Sequence, residues 1–230
     1  DTLVNMAKKV GITEKLQAIP SLPLGTNEIN IMEMAGGYSA FANLGYKVKP
    51  HLIKKIEDKD GNVLYEYKQE KTKVLDSSLC FILNNMLTAT YDADYIDYNY
   101  PTAIGIASRM THKYSLKSGT TSTDNWNIGF NPDVLTAVWV GYDDNTELKS
   151  SEYKYSQNIW LTSMEDYLKD KPDNWYDVPD NVSTVLVEPI SGRPASESDS
   201  KKKLMYFIKG TEPTDSDPVF DEKLNDSTAS

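Results

Sequence analysis

Leu3, Met6, Ala7 and Val10 recur at helical spacing, and Gly11 ends the run with a C-cap signal, which predicts a short opening helix. After the loop Pro20-Ser21-Leu22-Pro23-Leu24-Gly25-Thr26, the residues Ile29, Ile31, Met32, Met34, Ala35, Tyr38, Phe41 and Ala42 form an apolar stripe that stops near Asn43-Leu44-Gly45. A well-buried helix is expected there, and its small residues Ala35, Gly36, Gly37 and Ala40 allow close packing at some cost in helix propensity. Between Leu75 and Thr90, a face carrying Leu79, Ile82, Leu83, Met86 and Leu87 predicts another helix, with Asp76 or Ser77 as its N-cap. From Ala107 onward the pattern changes to strands: Tyr114 to Gly119, Trp126 to Phe130, a turn at Asn131-Pro132-Asp133, and Val134 to Tyr142, the last two as an antiparallel hairpin. A final helix from Ser156 to Leu168 is expected to offer Ile159, Trp160, Met164 and Leu168 to the sheet.

Smaller features complete the layout. Leu52, Ile53 and Ile56 lead into Asp58-Lys59-Asp60-Gly61-Asn62, and Val63, Leu64 and Tyr65 resume, which reads as a β-hairpin. The D-x-D-G start lacks the Gly and Glu spacing of a calcium loop. Composition shifts at Lys169-Asp170-Lys171-Pro172-Asp173, so the organisation expected is a main domain over 1–171, an extension over 172–214 with strands at Thr184 to Val187 and Leu204 to Ile208, and a disordered tail over 215–230. The fold class is α+β, an antiparallel β-sheet flanked by helices, with a short C-terminal β extension.

Composition narrows the possible partners. A net charge of −10 argues against nucleic acid or an anionic membrane surface as a direct partner. The basic run Lys201-Lys202-Lys203 lies in a Ser/Asp-rich stretch and reads as a solvated loop. The single cysteine, Cys80, excludes an internal disulfide and sits in an apolar run as an inert core residue. No apolar stretch has the ~20 residues of a transmembrane helix. His51 and His112 are far apart and lack ligand-spaced partners, so no metal and no cofactor is expected. The interspersed tyrosines and aspartates from Tyr91 to Tyr100 read as a partly exposed loop rather than a glycan groove.

The candidate chemistry lies in Lys117-Ser118-Gly119-Thr120, followed by Thr121. A cation, a hydroxyl, a position without a side chain and a second hydroxyl in successive strand positions suit a carboxylate-bearing acyl donor. Strand alternation puts Lys117 and Gly119 on one face and Ser118 and Thr120 on the other. Glycine lets a substrate backbone lie against the strand, and the following amide can point at a developing oxyanion.

Several separated stretches resemble one family, the bifunctional class A penicillin-binding proteins. They include Ser21-Leu22-Pro23-Leu24-Gly25 through Glu28, Met32-Glu33-Met34-Ala35 and Tyr38-Ser39-Ala40-Phe41-Ala42-Asn43. The tetrad with Thr121, Asp124, Trp126, Gly129-Phe130, Pro132-Asp133 and Val138-Trp139-Val140-Gly141-Tyr142 resembles that family's K-T-G-T-T strand and hairpin. The resemblance runs from Leu3 to about Thr214 and covers the C-terminal part of the transpeptidase domain, implying an incomplete β-lactamase/transpeptidase-like fold.

What it implies is a DD-transpeptidase that binds peptidoglycan stem peptides ending in D-Ala-D-Ala, and β-lactams in their place. On that resemblance Lys117 and Thr120 are catalytic: Lys117 holds positive potential over the cleft and the Thr120 amide forms half of the oxyanion hole. Ser118, Gly119, Thr120, Thr121 and Trp126 are the substrate-binding residues. Ser118 stands where class A enzymes usually carry Thr, and the hydroxyl persists. By family order the S-x-x-K nucleophile and the S-x-N motif precede residue 1, so an upstream half of the same polypeptide is the expected partner. That half would also carry the anchor of an extracytoplasmic, membrane-associated parent. Internal matches at Ser198 to Lys201, Ser200 to Lys203 and Ser156-Gln157-Asn158 follow the tetrad and read as coincidence. The rival readings are a non-catalytic peptide-binding or scaffolding protein with this fold and, fitting less well, a serine β-lactamase.

Overall fold

The protein is described here by a computed structural model over residues 2–214. Helix α1 (Thr2–Val10) ends at Gly11, whose φ of +117° turns the chain in a conformation that L side chains resist. Helix α2 (Ile31–Ala42) is capped by Asn30, whose side chain accepts from the Glu33 amide at 2.9 Å. Its small residues permit the expected close packing: a Cβ added at Gly36 would come within 2.9 Å of Pro50 Cγ. Strands β1 (Tyr46–Val48), β2 (Lys55–Glu57), β3 (Val63–Glu66) and β4 (Lys71–Lys73) follow. The β2–β3 hairpin is the one expected, whereas the antiparallel β1–β4 pair is new. At the hairpin turn Asp58 accepts from the amides of Asp60 and Asn62, each at 2.9 Å, so turn closure engages its carboxylate.

Helix α3 (Ser77–Met86) is capped by Asp76, which accepts from the Ser78 and Leu79 amides. Its buried face corrects the sequence expectation. Ser78, Cys80, Phe81 and Asn84 pack inward, while Leu79 and Met86 are 58% and 66% exposed. Asn84 is held there by two hydrogen bonds: its Nδ2 donates to the Phe41 carbonyl at 3.0 Å and its backbone carbonyl accepts from Ser115 Oγ at 2.8 Å. The predicted stripe is thus turned partly outward, with Ile82, Leu83 and Leu87 half-buried.

After the single-turn α4 (Ile104–Ala107), the strands β5 (Ser115–Thr120), β6 (Asp124–Phe130) and β7 (Leu135–Gly141) form an antiparallel sheet in the order β5-β6-β7. Helix α5 (Tyr155–Leu168) covers one face. Trp160, Leu161, Met164 and Leu168 join Tyr114, Leu116 and Val138 in the core beneath it. The expectation for Ile159 is corrected: it is 49% exposed, and Leu161 takes the inward position. Gly129 makes this contact possible, because a Cβ there would lie 2.7 Å from Leu116 Cδ1 and 2.8 Å from Trp160 Cε2.

The extension folds as the antiparallel pair β8 (Val182–Val187) and β9 (Lys203–Ile208). It is tied to the rest through α3, where the Tyr206 ring packs edge-on against Phe81 at 5.0 Å and Trp175 Nε1 donates to Asn85 Oδ1 at 3.1 Å. Residues 201–203 are not a purely solvated loop. Lys201 pairs with Asp97 at 2.7 Å, and Lys203 pairs with Asp92 and, at 3.3 Å, with Asp94. The acidic tyrosine-bearing loop and the basic run, two unrelated features of the sequence, are thus one contact. The tail expected over 215–230 lies outside the described residues.

Among the described residues, no helix is long and apolar enough to cross a membrane, and no cluster of three His, Cys, Asp or Glu side chains is placed to hold a metal ion.

Candidate acyl-transfer site

The tetrad occupies most of β5, and β5 is an edge strand. Register pairs Ser118 with Asn127, Gly119 with Trp126 and Thr120 with Asn125. The turn between the strands closes with the Thr121 amide donating to the Asp124 carbonyl at 3.0 Å. Hydrogen-bonded pairs alternate along an antiparallel ladder. Counting back from the Thr121–Asp124 pair, Gly119 and Lys117 bond inward to β6, and Thr120 and Ser118 turn their amides and carbonyls to the open edge. That phase is set by turn length, because one residue more or less would rotate the Thr120 amide into the sheet.

Side chains follow the expected alternation. Lys117 and Gly119 share a face with Trp126, and a Cβ at Gly119 would stand 3.3 Å from Trp126 Cβ. Lys117 is exposed, and its ammonium donates to the Ser118 carbonyl at 2.5 Å, folding over the strand edge. Trp126 is partly buried and lies opposite Trp139, whose Nε1 donates to Asp124 Oδ2 at 3.3 Å.

Ser118 and Thr120 lie on the α5 face. Thr120 Oγ1 accepts from Asn125 Nδ2 at 2.9 Å, and Asn125 Oδ1 in turn accepts from the buried Ser156 hydroxyl. Asn125 is held at both ends, so Thr120 keeps its own O–H proton for another acceptor. Ser156, the first residue of the internal S-x-N match, is thereby a support beneath the strand. The Ser118 hydroxyl donates to Thr102 Oγ1 at 3.1 Å. Sequence reasoning missed Thr102, a lone threonine with no local signal.

Thr121 lies in the turn that follows β5. Its hydroxyl donates to Asp124 Oδ1 at 2.7 Å and accepts from the Thr123 and Asp124 amides at 3.2 and 3.0 Å, so its hydrogen bonds close the turn. The strand's other end is fixed by Tyr114, whose hydroxyl donates to Glu165 Oε1 at 2.6 Å. Burial, with Glu165 adding to it, raises the Tyr114 phenol far above its ordinary value, so it remains a donor at any physiological pH.

What this edge can do chemically is specific. A cation, two hydroxyls and an outward amide converge beside an open strand edge. A peptide-like donor laid along it would find backbone partners and a receptor for its terminal carboxylate. These groups sit together on one edge of the α+β scaffold.

Comparison with known proteins identifies the family. The penicillin binding protein transpeptidase domain matches residues 5–165, and the penicillin-binding protein 1A C-terminal domain matches residues 178–222. The chain belongs to the penicillin-binding protein transpeptidase family. It is 42% identical to penicillin-binding protein 2D of Bacillus subtilis over 92% of its own length and 31% of that protein's. It is 32% identical to penicillin-binding protein 1A of Aquifex aeolicus over 93% of this chain and 28% of that one. The crystal structure of penicillin-binding protein 1A from Haemophilus influenzae superposes with a TM-score of 0.78 at 27% identity, covering 90% of this chain and 36% of that one. The chain thus spans about a third of the length of the curated relatives it matches.

Proposed function

We propose that this chain is the part of a peptidoglycan DD-transpeptidase that presents the donor-binding strand, within a longer polypeptide that supplies the nucleophile. The observation that carries the reading is the phase of β5, which turns the Thr120 amide to the open edge beside Lys117, Ser118 and Thr120. A serine from the upstream half attacks the carbonyl of the penultimate D-alanine, and the Thr120 amide donates to the oxyanion that forms. D-alanine departs with a proton on its amine, leaving a serine ester. An amine of a second stem peptide then attacks the ester and releases the serine. One oxyanion donor of this kind lowers the barrier by roughly 3–4 kcal/mol.

Lys117 supplies positive potential, Ser118 and Thr120 receive the donor's terminal carboxylate, and Gly119 and Trp126 shape the approach. A β-lactam occupies the same edge and stays on the serine. Thr121 acts through the turn that fixes the phase.

Support for an upstream half comes from α3. Its apolar stripe, with Leu79 and Met86 open to solvent, is a face that another part of the domain would cover. The relatives are about three times as long as this chain, which leaves ample sequence to supply that part. The parent acts outside the cytoplasmic membrane, held there by an upstream anchor. The experiment is covalent labelling of the natural polypeptide by a fluorescent penicillin, with Lys117→Ala alongside. Labelling that depends on Lys117 supports the transpeptidase, and no labelling of either protein supports a non-catalytic scaffold.

A further inference from the structure

Ser118 does not stand alone at the strand edge. Its hydroxyl gives its proton to Thr102 Oγ1 at 3.1 Å, across a separation of sixteen residues. The backbone carrying Thr102 is fixed on three sides. Gln157 Nε2, from α5, donates to the Thr102 carbonyl at 2.8 Å. The next residue, Ala103, is buried and donates its amide to the Thr90 carbonyl at 2.8 Å, and the Ile104 amide donates to the Pro101 carbonyl at 3.2 Å. The Thr102 side chain itself remains exposed. A solvent-facing threonine anchored this firmly, with its hydroxyl on a site residue, is built to hold that hydroxyl in one place.

We propose that Thr102 is a positioning residue for the donor's terminal carboxylate, acting through Ser118. This rests on the transpeptidase reading above. A hydroxyl is both donor and acceptor, so the Thr102–Ser118 pair has two states. Without ligand, Ser118 donates to Thr102. When a carboxylate arrives, Ser118 rotates its O–H onto the carboxylate oxygen and Thr102 donates its own O–H to Ser118 Oγ. Each proton stays on its own oxygen, and only the two hydrogen bonds reverse. The result is a chain from Thr102 to Ser118 to carboxylate, in which a charge-assisted bond is strengthened by the one behind it. The pair therefore selects donors that end in an anion over those that end in a neutral amide. Thr120, whose oxygen is already held by Asn125, gives its proton to the same carboxylate from the other side.

The test uses the natural polypeptide and two synthetic acyl donors, a D-alanyl thioester ending in a carboxylate and the same thioester ending in a carboxamide. Thr102→Val keeps the shape and removes the hydroxyl, and Thr102→Ser restores it. The expected result is that Thr102→Val lowers the preference for the carboxylate donor about tenfold, mainly through KM, with Thr102→Ser returning it. Equal loss on both donors in Thr102→Val, or an unchanged preference, overturns the proposal and leaves the transpeptidase reading standing. A wild-type protein that is acylated by neither thioester overturns that reading, and this inference with it.

Discussion

The Tyr91 hydroxyl bridges both backbone polar groups of Tyr114, accepting from its amide at 3.1 Å and donating to its carbonyl at 2.9 Å. Tyr114 immediately precedes β5, so one phenol satisfies the strand's entry where no neighbouring strand pairs with it. Burial raises the Tyr91 phenol above its ordinary value and keeps its proton in place. Tyr91→Phe leaves a partly buried amide and carbonyl unsatisfied. It is expected to lower the opening free energy of β5 by about 1–3 kcal/mol, read from native-state hydrogen exchange of the β5 amides. Unchanged protection there would show that the bridge does not hold the strand.

Gly129 offers a separate test of packing. A methyl group at that position would press on both Leu116 and Trp160, two fully buried side chains with nowhere to retreat. Gly129→Ala is expected to destabilise the fold by about 1–3 kcal/mol, seen as a lower urea midpoint. A wild-type midpoint would mean that α5 lifts from the sheet more easily than its contacts imply.

The extension is held partly by charge. Lys203 is one-quarter exposed, contacts Asp92 and Asp94, and stands 4.9 Å from the centre of the Tyr95 ring. Double-mutant analysis of Asp92→Asn with Lys203→Met should give a coupling of about 1 kcal/mol that shrinks as salt is raised. A coupling indifferent to salt would assign the docking to Tyr206 and Phe81 instead.

Acid acts on the same extension at another point. The Arg193 guanidinium, with the Ser196 amide, holds the Asp199 carboxyl well below its ordinary value of 3.8. A lowered carboxylate stabilises the folded state fully above its unfolded value, and that stabilisation is lost as pH falls below it. Exchange protection of the β8–β9 region should therefore fall below about pH 4 in the wild type. Asp199→Asn should flatten that dependence, and an equally steep fall in the variant would place the titrating group elsewhere.

Cys80 reports on alkaline pH. Burial raises its thiol from 9.0 to about 11, so between those values the unfolded chain releases a proton that the folded one retains. Stability contributed by Cys80 is present below pH 9.0 and declines as pH rises toward 11. A thiol reagent should label it only through opening of the structure, and Cys80→Ala should remove its share of the alkaline loss. Rapid labelling of the native protein at pH 8 would contradict the buried position.

Local pattern carried much of this fold and stopped at identifiable places. The β5–β6–β7 sheet was legible because alternation and the Asn131-Pro132-Asp133 turn repeat their signals over many residues. The inward face of α3 was not legible. Leu79 and Met86 of its apolar stripe point outward, and the packed side includes Asn84, whose place there depends on partners at Phe41 and Ser115. Strands β1 and β4 are three residues long and rich in lysine, too short for periodicity to register. In the site, Lys117, Ser118, Gly119 and Thr120 stood out as a contiguous motif. Thr102, Asn125 and Ser156 did not, because each acquires its role only through a partner that the fold brings to it, sixteen residues away for Thr102 and thirty-one between Ser156 and Asn125.

In the proposed function, β5 presents Lys117 and the Thr120 amide to an acyl-enzyme. The decisive experiment is labelling of the natural polypeptide by fluorescent penicillin, comparing wild type with Lys117→Ala. A covalent label is expected on the wild type, with labelling of the variant lower by about two orders of magnitude, or roughly 3 kcal/mol in the acylation barrier. Equal labelling of both proteins would contradict it, since acylation would then proceed without the Lys117 cation.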